Sequence, residues 1–305
     1  MKKILVVSYS QSGQLADIVA NFLIPFKNAD IDFVEIEPVT PFPFPWDTKS
    51  FYDVMPETVL EEPIAIKAPT FKHSNYDLIV FGYQPWYLSP AMPATAMLKN
   101  SEFCKRLKNT PIITLLGARN MWLNAQESIK ALIKNANGLL VGNVPLIDKT
   151  FNLISVITIV HWLGTGKKTK KWGIFPLPGV AQKDIEETTT FGVIAEKALQ
   201  KEDFSNLQND IIALNKIQIN TSILFIESRA KKLFKIWANT IKKKGTTPKK
   251  RATWLMIFRN YLYFALFIVS PVVLTIYTIL FRPLTLGQIK RKKEYFCSVK
   301  LNENG

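Results

Sequence analysis

The chain has 305 residues, a formal net charge of +15 at pH 7, and hydrophobic residues at 48% of its positions. Residues 1–150 carry 14 basic and 14 acidic side chains, whereas residues 151–305 carry 25 basic and 10 acidic ones. The neutral front half argues against nucleic-acid binding by that half. The basic second half indicates an anionic surface as partner, either lipid or nucleic acid.

The two cysteines, Cys104 and Cys297, lie far apart in the sequence. They offer neither the spacing of a metal motif nor a disulfide framework, so we predict no metal site and a reducing compartment. The apolar run at residues 4–7 is too short for a signal peptide, and it leads directly into polar residues.

The first 23 residues predict a strand, a small polar loop and a helix. Residues 8–14 read Ser-Tyr-Ser-Gln-Ser-Gly-Gln, and apolar side chains recur at helical spacing from Leu15 to Leu23. Backbone N–H groups and hydroxyls at a helix N-terminus suit a phosphate. The loop is not a Rossmann fingerprint and no Walker lysine follows it, so an ordinary helix cap stays an alternative.

Strands and helices alternate over the following residues. Further strands are predicted at residues 32–36, 76–82, 111–116 and 139–144, and helices at about 93–99 and from 123 to about 137. This alternation predicts a parallel sheet with helices on both faces, whose strand-to-helix loops meet at the carboxyl ends of the strands. These loops are residues 8–14, 83–90 and 117–122.

Several segments allow two interpretations. Residues 38–70 are rich in Pro and aromatic residues, which forbid a central strand or helix, and they form either a surface connection or a lid over a pocket. Residues 151–163 are uncharged but too short to span a bilayer, so they are a buried element, or they dip into lipid or line an apolar pocket. Residues 164–171 hint at a nucleotide loop, but we predict a solvated basic turn. Residues 181–200 predict the last helix on the sheet.

Residues 1–145 resemble the flavodoxin fold. Residues 10–14 resemble its phosphate loop, Pro85-Trp86-Tyr87 resembles the loop whose aromatic side chain stacks on the isoalloxazine ring, and residues 117–120 occupy the place of the third loop. Leu15 departs from the family pattern, which usually has a Thr that completes the phosphate cradle. The resemblance implies an FMN cofactor, held by Ser10, Gln11, Ser12, Gly13, Gln14, Leu15, Pro85, Trp86, Tyr87, Leu88, Gly117, Ala118, Asn120 and Trp122.

The C-terminal third predicts membrane attachment. Apolar residues from Ile226 to Ile241 share one helical face with lysines off it, which is typical of a membrane-surface helix. Residues 261–281 are 21 consecutive uncharged residues, long enough to span about 30 Å of hydrocarbon. Basic residues on both flanks and Pro271 inside the run favour a re-entrant or monotopic hairpin bent near Pro271, with a single span as the alternative. We therefore expect an anionic membrane surface as partner, at the cytoplasmic face of the inner membrane.

These patterns predict an α/β fold class, with a flavodoxin-like five-stranded parallel sheet and a C-terminal helical membrane-associating region. The flavodoxin-like domain covers residues 1–200 and contains an apolar and basic insertion at 151–180. A basic amphipathic helical region follows at 201–254. An apolar hairpin or span with a basic tail completes the chain at 255–305.

The whole chain also resembles a bacterial family of dialkylresorcinol condensing enzymes, through its Ser-Tyr-Ser-Gln-Ser-Gly loop, its Pro-Trp-Tyr loop, its length and its basic apolar tail. A flavin site on a membrane-attached domain implies a lipophilic redox substrate. The resemblance implies a ketosynthase and acyl carrier protein as partners in pigment biosynthesis, where this protein aromatises a cyclohexanedione. A condensation would need an activated Cys beside a His, but we interpret Cys104 and Cys297 as structural, so flavin oxidation fits better. Arg119 is a candidate to stabilise an enolate, or it pairs with the FMN phosphate or a surface carboxylate. Tyr87 is a candidate general base.

Three functions stay open at this point. They are an FMN-dependent aromatase, a membrane-bound NAD(P)H:quinone-type flavin reductase, and a non-catalytic partner of a ketosynthase. A nucleic-acid role is not expected, because the basic residues lie beside an apolar anchor rather than beside aromatic stacking platforms. Flavodoxin-like reductases often form dimers, so a homodimer is an open expectation.

Overall fold

The structure, a computed structural model, describes residues 1–301 apart from the side chain of Ser222. The last four residues of the predicted basic tail lie outside this range. The strands are β1 (Lys2–Ser8), β2 (Ala29–Glu35), β3 (Leu78–Tyr83), β4 (Pro85–Trp86), β5 (Ser89–Pro90), β6 (Pro111–Ala118) and β7 (Leu139–Ile147). Five of them form a parallel sheet in the order β2-β1-β3-β6-β7, and β4 and β5 form a separate antiparallel pair. This is the flavodoxin-like strand order, so the predicted fold class is confirmed.

The helices occupy both faces of this sheet and the C-terminal third. They are α1 (Gln14–Leu23), α2 (Thr48–Asp53), α3 (Met55–Val59), α4 (Met92–Leu98), α5 (Ser101–Leu107), α6 (Leu123–Asn135), α7 (Asn152–Thr165), α8 (Gln182–Glu186), α9 (Thr188–Lys201), α10 (Leu207–Ala213), α11 (Thr221–Lys244), α12 (Pro248–Phe264), α13 (Ser270–Ile276) and α14 (Leu286–Cys297). Two π-helical turns, Ala265–Val269 and Tyr277–Phe281, flank α13, and 3₁₀ turns lie at Lys171–Gly173 and Pro283–Thr285.

The sheet separates two apolar cores. Alternate residues of β1 point to opposite faces, so Ile4 packs with Phe22 of α1 on one side and Leu5 packs with Phe103 of α5 on the other. All six residues of β3 are buried, which explains its continuous apolar sequence. Residues of α9 and α10 complete the core on the α1 side.

Residues 38–70 contain two short helices, so the prediction that their prolines forbid helix was wrong. The Asp47 side chain accepts a hydrogen bond of 2.9 Å from the Ser50 N–H and caps α2. Pro56 lies in the first turn of α3, where a helix has no intrahelical acceptor for the missing N–H.

The C-terminal helices form a long antiparallel pair that packs on the α/β domain. The aromatic rings of Trp237 and Tyr261 lie 5.1 Å apart, and those of Phe225 and Tyr277 stack at 4.1 Å. The helix that runs from Pro248 to Phe281 therefore lies alongside α11 over most of its length. Phe258 of α12 is fully buried among Tyr52, Tyr87, Phe234 and Trp237.

The helix Pro248–Phe281 is 34 residues long and, among the described residues, is the one helix long and apolar enough to cross a membrane by length and composition. It passes through Pro271 without reversing direction, so the predicted bend near Pro271 was wrong. The π-helical turn just before Pro271 locally widens the helix, which relieves the clash that a proline ring makes with the preceding turn. The reversal comes later, at Pro283–Thr285, and α14 then returns to the α/β domain, where Gln208 Nε2 donates a 2.6 Å hydrogen bond to the Cys297 carbonyl.

We expect the substitution Phe258→Ala to lower the free energy of unfolding by about 3–5 kcal/mol, because it removes a fully buried ring between the C-terminal helices and α2. Denaturant unfolding followed by tryptophan fluorescence measures the loss. The control Phe264→Ala changes a ring that is 58% exposed and should cost less than about 0.5 kcal/mol. Equal losses in the two variants would contradict the packing described here.

Candidate functional site

A cavity of about 240 Å³ opens at the carboxyl ends of β1, β3 and β6. Segments 11–15, 84–87 and 117–119 line it from the three strand ends, and residues from segments 46–54 and 159–163 close its sides with Gly179. The volume lies just below the range of about 300–1,000 Å³ that is typical of ligand pockets. The three loops that the sequence predicts to converge therefore do meet around one cavity.

The loop after β1 borders this cavity and contains backbone donors without protein acceptors among the described residues. Gly13 caps α1 with φ +85°, a left-handed conformation that glycine adopts at low cost, and no atom lies within 4 Å of the position a Cβ would take. Within residues 1–301, the backbone N–H groups of residues 12–15 donate to no protein acceptor. Four adjacent donors at a helix N-terminus favour an anion. The helix-cap alternative accounts for one donor only, because Gly13 has no side chain and Ser10 Oγ caps the Ala16 N–H alone.

The side chains of this loop have different tasks. Ser10 Oγ accepts a hydrogen bond of 3.2 Å from the Ala16 N–H, and Gln11 Nε2 donates one of 2.8 Å to the Pro43 carbonyl. The Gln14 amide donates to the Val180 carbonyl at 3.1 Å and accepts from the Val180 N–H at 2.9 Å. The loop side chains thus hold the surrounding segments in place and leave the backbone N–H groups of residues 12–15 without protein acceptors in the described part of the chain.

An aromatic wall closes the cavity opposite the loop after β1. Trp86 packs edge-on against Phe42 and Trp46, with ring centroids 5.0 and 5.4 Å apart. The Trp46 N–H donates a 2.7 Å hydrogen bond to the Leu163 carbonyl at the end of α7. The proline-rich segment therefore forms part of the pocket wall, as the lid interpretation of residues 38–70 predicts.

Helix α7 supplies the remaining apolar wall. Ile159, Trp162 and Leu163 line the cavity, while Phe151 at the other end of the segment is 69% exposed. Both the buried-element and the pocket-lining interpretations of residues 151–163 therefore hold, since Ser155, Val156 and Thr158 are buried as well.

Arg119 brings a cation to the cavity wall. Its Nη1 donates to the Asn152 side-chain Oδ1 at 2.6 Å and to the Asn152 carbonyl at 3.2 Å. Burial lowers the Arg119 pKa to about 10, partly offset by Asp148 and Glu227. Within residues 1–301 Arg119 forms no ion pair, which argues against the surface-carboxylate alternative and leaves its charge available to the cavity.

Tyr87 is poorly suited to act as a general base. Its hydroxyl donates a 2.6 Å hydrogen bond to the Phe51 carbonyl, and burial raises its pKa well above the usual value. The Tyr87 phenol therefore stays protonated and contributes an aromatic surface to the cavity wall, not a proton acceptor. Within residues 1–301, the cavity wall contains no carboxylate or imidazole.

Five of the predicted cofactor residues do not line the cavity: Ser10, Gly13, Leu88, Asn120 and Trp122. Trp122 is only 1% exposed and packs in the core under α6, so its expected role as an exposed aromatic of the site was wrong. The reason is that β6 continues to Ala118, and the chain then turns inward before α6 begins at Leu123. Asn120 Nδ2 instead donates a 2.7 Å hydrogen bond to Asn152 Oδ1, the same oxygen that Arg119 contacts.

Glu227 is a buried carboxylate that the sequence interpretation missed. It lies on α11, is 1% exposed, and its Oε1 accepts a 2.9 Å hydrogen bond from the Asn124 N–H at the start of α6. Burial raises its pKa to about 7 despite this hydrogen bond. An acidic residue on the apolar side of a basic amphipathic helix was the available signal. Glu227 fixes α11 to the helix that follows the third loop of the site.

The cysteines do not form a nucleophilic centre. Burial raises the pKa of both Cys104 and Cys297, which disfavours the reactive thiolate. His73 contacts Asp30 at 2.7 Å and His161 lies beside Thr169, so neither imidazole activates a thiol. Among residues 1–301 no cluster of His, Cys, Asp and Glu has the arrangement of a metal site.

No protein-family model matches the chain, and no curated protein matches it. Solved structures similar to it include a flavoprotein from Lactobacillus acidophilus in complex with FMN, at 16% identity and a TM-score of 0.39, which covers 48% of this chain and 93% of that one. An archaeal flavodoxin is 14% identical, with a TM-score of 0.33, and covers 65% and 99% of the two chains. A flavone reductase is 10% identical, with a TM-score of 0.36, and covers 72% and 66%. These likenesses concern the fold class alone.

We expect the substitution Glu227→Gln to remove a pH dependence of stability. The folded-state pKa of about 7 exceeds the usual value of 4.5, so the stability of the native protein relative to the variant is full below pH 4.5 and falls as the pH rises to about 7. Between pH 5 and pH 8, the free energy of unfolding of the native protein should fall by about 1–3 kcal/mol relative to that of the variant. Denaturant titrations at the two pH values measure this difference.

The substitution Glu294→Gln, at an exposed position of α14, is the matched control and should leave the pH profile unchanged. A parallel pH profile for the Glu227→Gln variant and the native protein would show that Glu227 is ionised normally in the folded state.

Proposed function

We propose that this protein is an FMN-dependent oxidoreductase that acts on a lipophilic cyclic substrate at a membrane surface. Its specific reaction, in this proposal, is the oxidation of a dialkyl cyclohexane-1,3-dione to a dialkylresorcinol. The observation that carries the proposal is the cavity itself, where a loop with unbonded N–H groups borders a pocket walled by Trp46, Trp86 and Trp162. A phosphorylated flat ring combines the two chemistries that such a cavity can bind.

The residues present fit FMN in donor chemistry. The N–H groups of residues 12–15 and the Ser12 hydroxyl, which has no protein partner in the described chain, would hold the phosphate. Residues 85–87 and 117–119 would hold the ring. Leu15 contributes only its N–H, because its side chain is 2% exposed and packs in the core. The cavity is small, so binding would require the Trp46 segment to move outward.

FMN, when bound, would supply the two-electron acceptor for the oxidation. Conversion of the dione to the resorcinol removes one ring proton and one hydride, and tautomerisation then gives the aromatic ring. A second acceptor, such as a quinone or dioxygen, must reoxidise the cofactor for turnover. A ketosynthase that joins two carrier-bound acyl chains is the class of enzyme that would supply this dione.

The chain's own contribution would be electrostatic and steric. Arg119 places a cation at the cavity wall, where it would stabilise the enolate oxygen of the dione. Loss of the first proton would need no strong base, because a 1,3-dione is already acidic and the cation favours its enolate. The apolar walls from α7 and the proline-rich segment would exclude water from the ring.

A lipophilic substrate is supported by the apolar connection between the cavity and the C-terminal helices. Phe51 and Tyr87 line the cavity, and the Tyr87 ring lies 6.4 Å from both Phe234 of α11 and Phe258 of α12. Apolar side chains thus extend without interruption from the pocket wall to the long apolar helix. Such a path suits a substrate that carries alkyl chains.

The proposed membrane contact is in the plane of the lipid surface rather than across it. The first turn of the helix Pro248–Phe281 is tied to the α/β domain by the Arg251–Asp53 ion pair of 2.6 Å, and the end of α14, which follows the helix, is tied to it by the Gln208–Cys297 contact. The lysines of α11 run alongside the helix, and each would cost about 2.5–3.5 kcal/mol at the bilayer centre.

The free face of this helix is apolar and its flank is basic. Exposed apolar side chains include Phe264, Ile268, Val272, Ile276 and Ile279, each at least 47% exposed. The four consecutive basic residues 290–293 follow on α14. Apolar burial and attraction to anionic lipid together support attachment to a cytoplasmic membrane face.

The first test is the absorption spectrum of the detergent-purified protein after addition of FMN, followed by anaerobic addition of a dialkyl cyclohexane-1,3-dione. We expect a bound-flavin spectrum, bleaching of the flavin bands by the dione, and a resorcinol product by mass spectrometry. The substitution Arg119→Met should retain the flavin spectrum and slow the bleaching by about 100-fold or more.

Two outcomes would contradict this proposal. Protein that stays colourless with excess FMN would favour a non-catalytic partner of a ketosynthase. Bleaching by NADPH with reoxidation by menaquinone, and none by the dione, would favour the quinone reductase.

The second test is binding to vesicles that contain phosphatidylglycerol. We expect the double substitution Ile276→Glu and Ile279→Glu to weaken binding by about 100-fold or more, because it places two charges on the proposed lipid face. The control Val193→Glu alters an exposed apolar residue of α9 and should bind normally. Cysteines placed at positions 249 and 290 should both react with an impermeant reagent added outside the vesicles. Protection of position 290 alone would indicate a spanning helix instead.

A further inference from the structure

The Gly- and Lys-rich segment 164–171 is not the fully solvated turn that the sequence predicts. Gly166 caps the end of helix α7, and its φ of +70° lets the chain reverse. Its N–H donates a 2.8 Å hydrogen bond to the Trp162 carbonyl. The reversal carries Lys168 back over the cavity side of α7. Its Nζ lies 5.5 Å from the centre of the Trp162 ring, which is within the range of a cation–π contact.

Lys168 reaches the first turn of α1 through Val180. Its Nζ lies 3.5 Å from the Val180 carbonyl oxygen, the same oxygen to which Gln14 Nε2 donates. A second link is electrostatic, because Asp17 in the same turn of α1 acts on the Lys168 charge. The ammonium group therefore lies beside the helix end that presents the unbonded N–H groups.

Gly179 makes this close approach possible. A Cβ at this position would lie 2.7 Å from both Gln14 Oε1 and Trp162 Cζ3, and Gly179 itself has φ +80°. Segment 178–180 thus fits between α1 and α7 only because residue 179 has no side chain. This packing brings the basic turn of the insertion against the loop after β1.

The Lys168 charge has no counter-ion in the described chain. No carboxylate oxygen of residues 1–301 lies within 4.0 Å of its Nζ. Its side chain is partly buried, whereas Lys167 and Lys170 of the same turn are exposed. Burial lowers the pKa of Lys168 more than Asp17 raises it. A partly buried cation that has no carboxylate of the described chain within 4.0 Å and lies beside four unbonded donors is an arrangement that an anion would complete.

We propose that Lys168 contacts the phosphate of the bound FMN and supplies the interaction that Leu15 cannot make. This inference rests on the proposed function and assigns a binding role to the insertion between β7 and α8. The phosphate carries close to two negative charges at neutral pH, so one lysine and a set of backbone donors suit it better than backbone donors alone. The isoalloxazine ring does not reach this side of the loop in the proposal, so riboflavin gains nothing from Lys168.

The test compares FMN with riboflavin, which lacks the phosphate, by flavin fluorescence quenching in the full-length protein in detergent. We expect Lys168→Met to weaken FMN binding by about 10- to 100-fold and to leave riboflavin binding unchanged. Met keeps the apolar stem over Trp162, and unchanged riboflavin binding shows that the variant is folded. Lys168→Arg should restore FMN binding to within about threefold of the native protein.

The matched control is Lys170→Met, which removes an exposed charge from the same turn and should bind FMN normally. The FMN affinity of the native protein should also fall with added salt more steeply than that of the Lys168→Met variant.

The possible failures separate the two proposals. If the native protein binds riboflavin as tightly as FMN, or if Lys168→Met weakens both flavins equally or neither, then the Lys168 assignment is wrong and the flavin function stands. If the native protein binds neither flavin, the proposed function falls and the Lys168 assignment falls with it.

Discussion

The structure depends on a set of backbone donors that the protein itself does not satisfy. A helix begins with N–H groups that lack intrahelical acceptors, and here the first turn of α1 lies at the carboxyl edge of the sheet, where Ser10 Oγ caps only the Ala16 N–H. The surrounding segments are held around this turn by Gln11 and Gln14, which bond to Pro43 and Val180. These contacts keep the Pro43 and Val180 segments close to the backbone donors, but they do not use those donors. The cavity lies between these N–H groups, which have no protein acceptor within residues 1–301, and the aromatic wall.

A second constraint connects this cavity to the C-terminal helices. Glu227 binds the start of α6, and Lys231 on the next turn of α11 pairs with Glu61 at 2.9 Å. One face of α11 therefore contacts the α/β domain through charged side chains, while another face packs against the apolar helix. The position of the apolar helix relative to the cavity is thereby fixed, with Tyr87 in contact with both. In the proposed function, the same pair of helices would bring a membrane-bound substrate to the cavity.

The sequence interpretation succeeded where local pattern and topology act together. Continuous apolar strands at residues 76–82 and 111–116 can be buried only in a sheet covered on both faces, and this fixed the parallel sheet and the meeting of its loops. It failed where a side chain's direction depends on tertiary packing. Trp122 follows a correctly placed strand, yet it turns into the core. Pro271 was expected to bend the chain, but the helix continues through it after a π-helical turn.

The sequence alone determined the class of fold, the identity of the three loops and the separation of a neutral α/β half from a basic apolar half. These features follow from periodicity, chain direction and composition, which are local properties of the chain. Only the tertiary structure decided that Glu227 is buried, that Lys168 returns to α1, and that the start of the apolar helix and the end of α14 contact the same domain. Those facts depend on contacts between residues more than one hundred positions apart or on a glycine-permitted approach, and no local pattern encodes such distances.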